Sequence, residues 1–406
     1  MAFFLYKMNV VIQEQIVKSG TLEKIGFLNP LNVQWRRRYY EFGNFEIQML
    51  ASEYNSEALF VENTNTGDIG IIQKVSYSSK ANGEFITISG YFYEFELCNK
   101  SQYVWEKPPA SAFVSGNIYP KTIKGFIQYH MIDNSASSTS AMNTAFLAGY
   151  NDISWLENER IPYVINTDFD FDNIPNGNVS LTEDVTDLNE WGIVLQKILR
   201  DNENGLKTRI TSNNRFLISA FKGKDRTQDQ NTNTYCVFSD AIGNIKNVEY
   251  SNDISNFKNS VLCGASYVRE SNSSHHVSHY TSSSVYTYTS NYLNNMMKEA
   301  YTEVEVPEGF SSLGEDEKDN LLKSQAPLYL LNYLTIENVS FDVIDGFYEY
   351  GKDYDLGDKV DVVINSLKKS YSYRIIGIDE IYKENVRTLK LYLGDMKKKI
   401  YQKGRY

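Results

Sequence analysis

Alternating apolar and polar positions dominate the first hundred residues. In Asn44-Phe45-Glu46-Ile47-Gln48-Met49 apolar side chains recur at every second residue, the period that turns one strand face into a core, so Phe45, Ile47 and Met49 are predicted to be buried. Gly67-Asp68 breaks the chain before Ile69-Gly70-Ile71-Ile72, and Asn82-Gly83 precedes Phe85-Ile86-Thr87-Ile88; both read as turns between antiparallel strands. Residues 1–110 are expected to form a meander or a small β-barrel. Beyond Pro108-Pro109 the period lengthens. Pro120 suits a first helical turn, and Ile123, Phe126, Ile127, His130 and Met131 follow at steps of three and four.

A second helix is expected at 187–201, where Asp187 and Glu190 fit a capping box and Leu188, Trp191, Leu195, Ile198 and Leu199 make an apolar stripe ending before Gly205. Strands return at Phe216-Leu217-Ile218 and Tyr235-Cys236-Val237-Phe238, so residues 111–335 read as an α+β middle section. Within it, the Ser/His-rich insertion 271–290 reads as a loop or an exposed hairpin. Glu315 to Gln325 reads as a helical stretch interrupted by Pro327. From Ile336 strands dominate: Val360, Val362 and Ile364 alternate, as do Leu389, Leu391 and Leu393. Residues 336–395 are expected to form a second β-barrel-like unit, followed by a basic tail at 396–406. The fold class is α+β and β-rich, with a barrel-like unit on each side of the middle section.

Charge and size narrow the function classes. At roughly 100 to 200 residues per domain, 406 residues imply two to four domains. Forty Lys+Arg against 51 Asp+Glu give −11, which disfavours a surface built to neutralise DNA phosphates or an anionic bilayer; no sequence-specific nucleic acid and no membrane is expected as a partner. The longest apolar stretches fall short of the ~20 residues of a membrane span. Met1 to Val11 is apolar without a basic leader or a cleavage site, so no signal peptide is expected. Cys98, Cys236 and Cys263 form no CxxC pair, which argues for reduced thiols rather than a disulfide framework or a zinc ribbon. Thirty-one Tyr and 21 Phe favour half-buried pleated surface.

Candidate chemistry is thin. Asp168, Asp170 and Asp172 form a DxDxD run, but counting from Asp168 the sixth position is Asn173 rather than Gly and the twelfth is Val179 rather than Glu, so a calcium loop is not expected. His275, His276 and His279 invite a zinc or copper reading that no HExxH or matching Cys supports. His130 sits on the apolar face of its predicted helix and reads as a core residue. There is no GxSxG elbow, and Gly223-Lys224-Asp225-Arg226-Thr227 lacks the spacing of a phosphate loop; Asp225 and Arg226 are expected to pair with each other and fix a turn after Phe221. Catalytic, cofactor-binding and metal sites are all expected to be none, and the chain is expected not to be an enzyme.

Several blocks, in order along nearly the whole chain, resemble the tail-tip or baseplate hub proteins of tailed phages that infect Gram-positive hosts. The first runs from Val33 through Trp35-Arg36-Arg37-Arg38-Tyr39-Tyr40 to Glu46. The second is Gly223-Lys224-Asp225-Arg226-Thr227, followed by Val237-Phe238-Ser239 and by Asn259 to Gly264. The third is Tyr354-Asp355-Leu356-Gly357-Asp358-Lys359-Val360, leading to Arg374 to Ile378 and to Leu391 to Asp395. The resemblance departs at 271–290 and soon after Asp395, where many relatives carry fibre or peptidoglycan-cleaving modules, so no wall-degrading role is expected.

The resemblance implies a homotrimeric ring with two barrel-like units per chain, matching a sixfold tail tube to a trimeric tip. It implies as partners the tail tube or distal tail protein, the tape-measure protein, and a tip fibre, spike or receptor-binding protein. It places the chain in the virion, at the tail tip, after synthesis in the host bacterial cytoplasm. The competing reading, a tail-borne or extracellular carbohydrate-active protein, rests only on abundant Tyr and Asp. Two further expectations concern segments: Lys397, Lys398, Lys399, Lys403 and Arg405 as a solvated tail or a dock for an acidic neighbour, and 271–290 as a hairpin or extended arm packed on a neighbouring subunit or partner rather than a metal site.

Overall fold

The computed structural model describes residues 3–13, 16–99, 167–170, 192, 195–196, 199–200, 202–271, 274–281, 286–287, 298–303, 310–330, 336–383 and 386–394. The N-terminal run is β1 (Phe3–Gln13), β2 (Ile16–Leu28), β3 (Asn32–Arg38), β4 (Asn44–Leu50), β5 (Phe60–Asn63), β6 (Ile69–Ile71), β7 (Lys74–Lys80) and β8 (Gly83–Tyr91). Next come β9 (Thr167–Asp170), β10 (Gly205–Ile210), β11 (Phe216–Phe221), β12 (Val237–Ser239), β13 (Ile245–Asp253), β14 (Ser260–Ser271), β15 (Ser274–Thr281), β16 (Tyr286–Thr287) and β17 (Glu299–Glu303). Helix α1 (Glu315–Leu330) precedes β18 (Ile336–Val343), β19 (Lys359–Ile364), β20 (Lys369–Lys383) and β21 (Val386–Gly394). The chain divides into two units, the first built from residues 1–248 and 340–393, the second from 249–339 and 394–406. It is an α+β, β-rich fold, as the alternation predicts.

In the first unit the described start of β1 meets a core on each face, as its run Phe3-Phe4-Leu5-Tyr6 suits. Phe3 and Leu5 point into a core shared with Val33, Trp35, Phe45, Ile47 and Met49, whereas Tyr6 points into a second core with Phe60, Tyr93, Phe216 and Ile218. Phe45, Ile47 and Met49 are essentially solvent-free, as their spacing requires. Both predicted turns join antiparallel strands: Gly67, with φ +76°, connects β5 to β6, and Ala81-Asn82 connects Lys80 to Gly83. A third core forms around Phe238, whose ring meets Phe341, Tyr348 and Tyr354 at centroid distances of 5.1–5.7 Å.

The longest sheet of this unit joins the two ends of the sequence. Its order includes β7-β8-β4-β3-β20-β21, all antiparallel, and β19 pairs with β20 and with β12. The strands read as an N-terminal and a C-terminal β unit therefore share backbone hydrogen bonds, with Arg38 opposite Gly377 and Val33 opposite Tyr382. Val360, Val362, Ile364, Leu389, Leu391 and Leu393 are buried as their alternation predicts. Of the helix expected at 187–201, Gly192, Leu195, Gln196, Leu199 and Arg200 are described; they are helical, with Leu195 and Leu199 in the Tyr6 core. The helix expected around Ile123 to Met131 lies outside the described residues.

In the second unit β14 is central. It pairs with β15 and β16 antiparallel and with β17 parallel, and α1 packs on it through Leu322, beside Phe310, Val261, Cys263 and Ala265. The described parts of 271–290 are thus strand, paired with β14 of the same chain. Pro327 does not interrupt the helix: α1 continues to Leu330. Proline removes one amide donor from a helix, and three residues before the C-terminus that is one bond of the final turn.

Candidate functional site

Parts of the three sequence blocks, Arg37 to Tyr39, Gly223 to Arg226 and Asp355 to Lys359, meet at the end of β3 although they lie far apart in the chain. Alternation explains the first contact. Val33, Trp35 and Arg37 share one face of β3, and that face is buried, so the Arg37 guanidinium enters a core and needs anions there. It forms ion pairs with Asp68 at 2.7 Å and Asp355 at 2.6 Å, and donates to the Tyr350 hydroxyl at 2.6 Å. Burial opposes its charge, but these neighbours outweigh burial and raise its pKa. On the other face Arg38 pairs with Asp379 at 2.6 Å, and the Tyr392 hydroxyl donates to the same carboxylate at 3.1 Å.

Tyr39 follows as the hinge between blocks. Its hydroxyl lies 2.7 Å from the Glu203 carbonyl and 3.2 Å from that of Phe221, and accepts from the Gly223 amide at 3.1 Å. Its ring covers Gly357, where φ is +86° and a Cβ would strike the ring. Gly223 in turn presses on Gly357: a Cβ at Gly223 would collide with the Gly357 carbonyl. Both glycines are required by this close approach of two backbones.

Asp358 ties the second block to the third. Its carboxylate accepts from the Lys224 amide at 2.7 Å, from Arg226 Nε at 2.6 Å and from the Asp355 amide at 3.1 Å. Arg226 also donates to the Lys352 carbonyl at 3.0 Å. The predicted pairing of Asp225 with Arg226 is not made. Asp225 accepts from the amide and hydroxyl of its near neighbour Thr227, a local turn, which leaves the longer Arg226 side chain to reach Asp358. Backbone bonds complete the seam, from Lys359 N to Lys224 O and from Arg226 N to Lys359 O, each 2.8 Å.

Two buried carboxyls flank this seam. Glu94 accepts from the Thr208 hydroxyl at 2.8 Å, and burial pushes its pKa up to about 8. Glu380, opposite Trp35 in the β3/β20 register, is solvent-free; burial raises its pKa, with Arg387 at 3.5 Å opposing. Nothing in the local sequence marks either acid as buried. Arg37 is different: its place in the Val33, Trp35, Arg37 alternation is a legible signal for a buried cation.

Chemically the arrangement spends its charges on one another. Among the described residues no group of three His, Cys, Asp or Glu is placed to hold a metal. Asp168 and Asp170 belong to β9, and Asp172 lies outside the described residues. His275, His276 and His279 fall in β15, where His275 and His279 are four residues apart on a strand, roughly 13 Å at the usual rise. His130 and the basic tail lie outside the described residues. Cys98, Cys236 and Cys263 are buried, and burial pushes the Cys263 thiol up to about 11. No described helix is long and apolar enough to cross a membrane.

Comparison with known proteins gives one family: the one described as Siphovirus ReqiPepy6 Gp37-like protein matches residues 22–395. No curated protein matches the sequence. Among solved structures, the chain is similar to prophage tail protein gp18 from Listeria monocytogenes, with 12% identity over 93% of this chain and 92% of that one and a TM-score of 0.48. It is similar to a tail protein from Neisseria meningitidis, with 11% identity over 97% and 96% and a TM-score of 0.46. The 43 kDa tail protein of prophage MuSo2 from Shewanella oneidensis has 10% identity over 97% and 98%, with a TM-score of 0.46.

Proposed function

The chain belongs to the family of Siphovirus ReqiPepy6 Gp37-like proteins, and from that premise we propose that it is a structural protein of a phage tail, the hub of its tip or baseplate. Three copies form a ring that joins the tail tube to the tip and takes part in tail assembly and host entry. The role is structural and not catalytic. The observation that carries this reading is the reach of the family match, from residue 22 to residue 395, across all three blocks of the seam.

The seam supports the reading physically. A hub transmits force between a tube and a tip, and a chain whose distant segments are tied by buried, geometrically fixed ion pairs resists being pulled apart between them. Its neighbours in the particle are the tail tube or distal tail protein, the tape-measure protein, and a fibre, spike or receptor-binding protein. Its place is the virion.

The test is genetic and visual. Removing the gene from the phage or prophage is expected to give particles without complete tails under the electron microscope, and light scattering of the purified chain is expected to give three times the chain mass. Complete, infectious tails made without the chain would overturn the reading.

A further inference from the structure

The dipeptide Asn82-Gly83, which marks the turn between β7 and β8, recurs at Asn204-Gly205. Asparagine is a thermolabile residue, and a glycine after it leaves the route of decay open, because no Cβ hinders the approach of the glycine amide nitrogen to the asparagine side chain. The structure sets the two pairs in opposite surroundings.

Asn82 sits at the tip of the β7/β8 hairpin, and Lys80, Ala81, Asn82 and Glu84 are all exposed. No described residue bonds its side-chain amide. Gly83 has φ +138°, and a Cβ there would meet only the Phe85 ring, at 3.5 Å. The Gly83 amide belongs to the last pair of the ladder, where local opening costs least. Asn204 is the reverse case. It is 1% exposed, its side-chain amide donates to the Asn202 carbonyl at 2.9 Å, and its backbone amide donates to the Leu199 carbonyl at 2.8 Å. Gly205 is buried opposite Phe221 in the β10/β11 ladder, so close to Tyr39 that a Cβ would strike the ring.

We propose that Asn82 is a site of spontaneous deamidation and that packing protects Asn204. The Gly83 amide nitrogen attacks Asn82 Cγ, an intramolecular step favoured by proximity. The new C–N bond closes a cyclic imide as the bond from Cγ to the side-chain nitrogen breaks, and that nitrogen leaves as ammonia with the proton given up by Gly83. Water then opens the imide. Attack at Cγ gives aspartate, and attack at the main-chain carbonyl carbon gives isoaspartate, whose backbone runs through Cβ and Cγ. The sum is asparagine and water in, an acidic residue and ammonia out, with nothing oxidised or reduced. Either product puts a negative charge between Lys80 and Glu84. The isoaspartyl form also adds one backbone atom to a two-residue turn, and turn length sets strand register.

The experiment keeps the purified full chain in warm, mildly alkaline buffer and follows both asparagines by peptide mass spectrometry. In the native chain Asn82 is expected to gain the mass of the amide-to-acid exchange while Asn204 stays unchanged. In denaturant, where burial is lost, Asn204 is expected to convert as Asn82 does. Gly83→Ala is expected to slow the conversion of Asn82 several-fold in denaturant, a comparison that does not depend on how the variant folds. Conversion of Asn82 no faster than that of Asn204 in the native chain overturns the proposal, and so does a denatured Gly83→Ala chain that converts as fast as the denatured wild type.

Discussion

Arg226 Nε donates to the Asp358 carboxylate at 2.6 Å across 132 residues of sequence, and both side chains are shielded from water. Cutting one partner of such a pair leaves an uncompensated charge inside, at a cost of about 3–5 kcal/mol. Asp358→Ala orphans two amides as well as the guanidinium. Its urea midpoint is therefore expected to fall further than that of Arg226→Met, which leaves the carboxylate its two amide donors. Equal midpoints for the two variants would show that the amides around Asp358 find other partners.

Gly351 and Gly357 have nearly the same backbone, with φ of +87° and +86°, but different surroundings: a Cβ on Gly351 meets nothing within 4 Å, whereas one on Gly357 strikes Tyr39. Alanine in the left-handed region costs roughly 1–2 kcal/mol. Gly351→Ala should show that loss alone, and Gly357→Ala that loss plus the displaced ring. Thermal denaturation of both variants separates strain from collision.

Removing the Tyr39 hydroxyl leaves the Gly223 amide without its acceptor. Tyr39→Phe keeps the ring over Gly357 and is expected to cost about 1–3 kcal/mol, the price of one unsatisfied buried donor. Hydrogen exchange at Gly223 should accelerate with it, and an unchanged rate would mean that the bond adds no protection.

Glu94 makes stability depend on pH. Its pKa is raised by burial to about 8, above its ordinary value near 4.5, so its contribution is whole below pH 4.5 and is lost as pH rises through 8. The midpoint of wild type is expected to decline between about pH 5 and about pH 8 more steeply than that of Glu94→Gln, which cannot ionise. Parallel profiles would place the slope elsewhere.

The three thiols should be silent in the native state. Cys98, Cys236 and Cys263 are buried, and burial raises the pKa of both Cys236 and Cys263. A thiol reagent is expected to label none of them until denaturant is added, and then all three. Fast labelling of the native chain would contradict their packing.

Local pattern was informative wherever burial follows a strict period. Phe45, Ile47 and Met49, and likewise Val360, Val362 and Ile364, are buried because a strand with one face in a core has no other way to place them. Partner choice is another matter. Nothing near Val33 announces that its strand neighbour is Tyr382, because pairing depends on which edge is free once distant segments have folded. Glu94 illustrates a second limit: it lies in a short helical turn between apolar residues, and its burial is dictated by the Tyr6 core closing over Tyr93 and Leu97. The Asp225 pairing failed for a reason of competition, since Thr227 satisfies that carboxylate within two residues.

The placement of β20 between β3 and β21 has a consequence for synthesis. A ribosome delivers β3 more than three hundred residues before the strand that covers its edge, so throughout most of translation that edge stays open. Contacts so distant in sequence close slowly, because loop entropy must be met before they form. Nascent or prematurely terminated chains therefore carry the sticky side of β3 exposed to other nascent chains, a hazard of partly made proteins. Only a chain translated through β20 can hide it, which makes synthesis of that strand the event that closes the β3 edge.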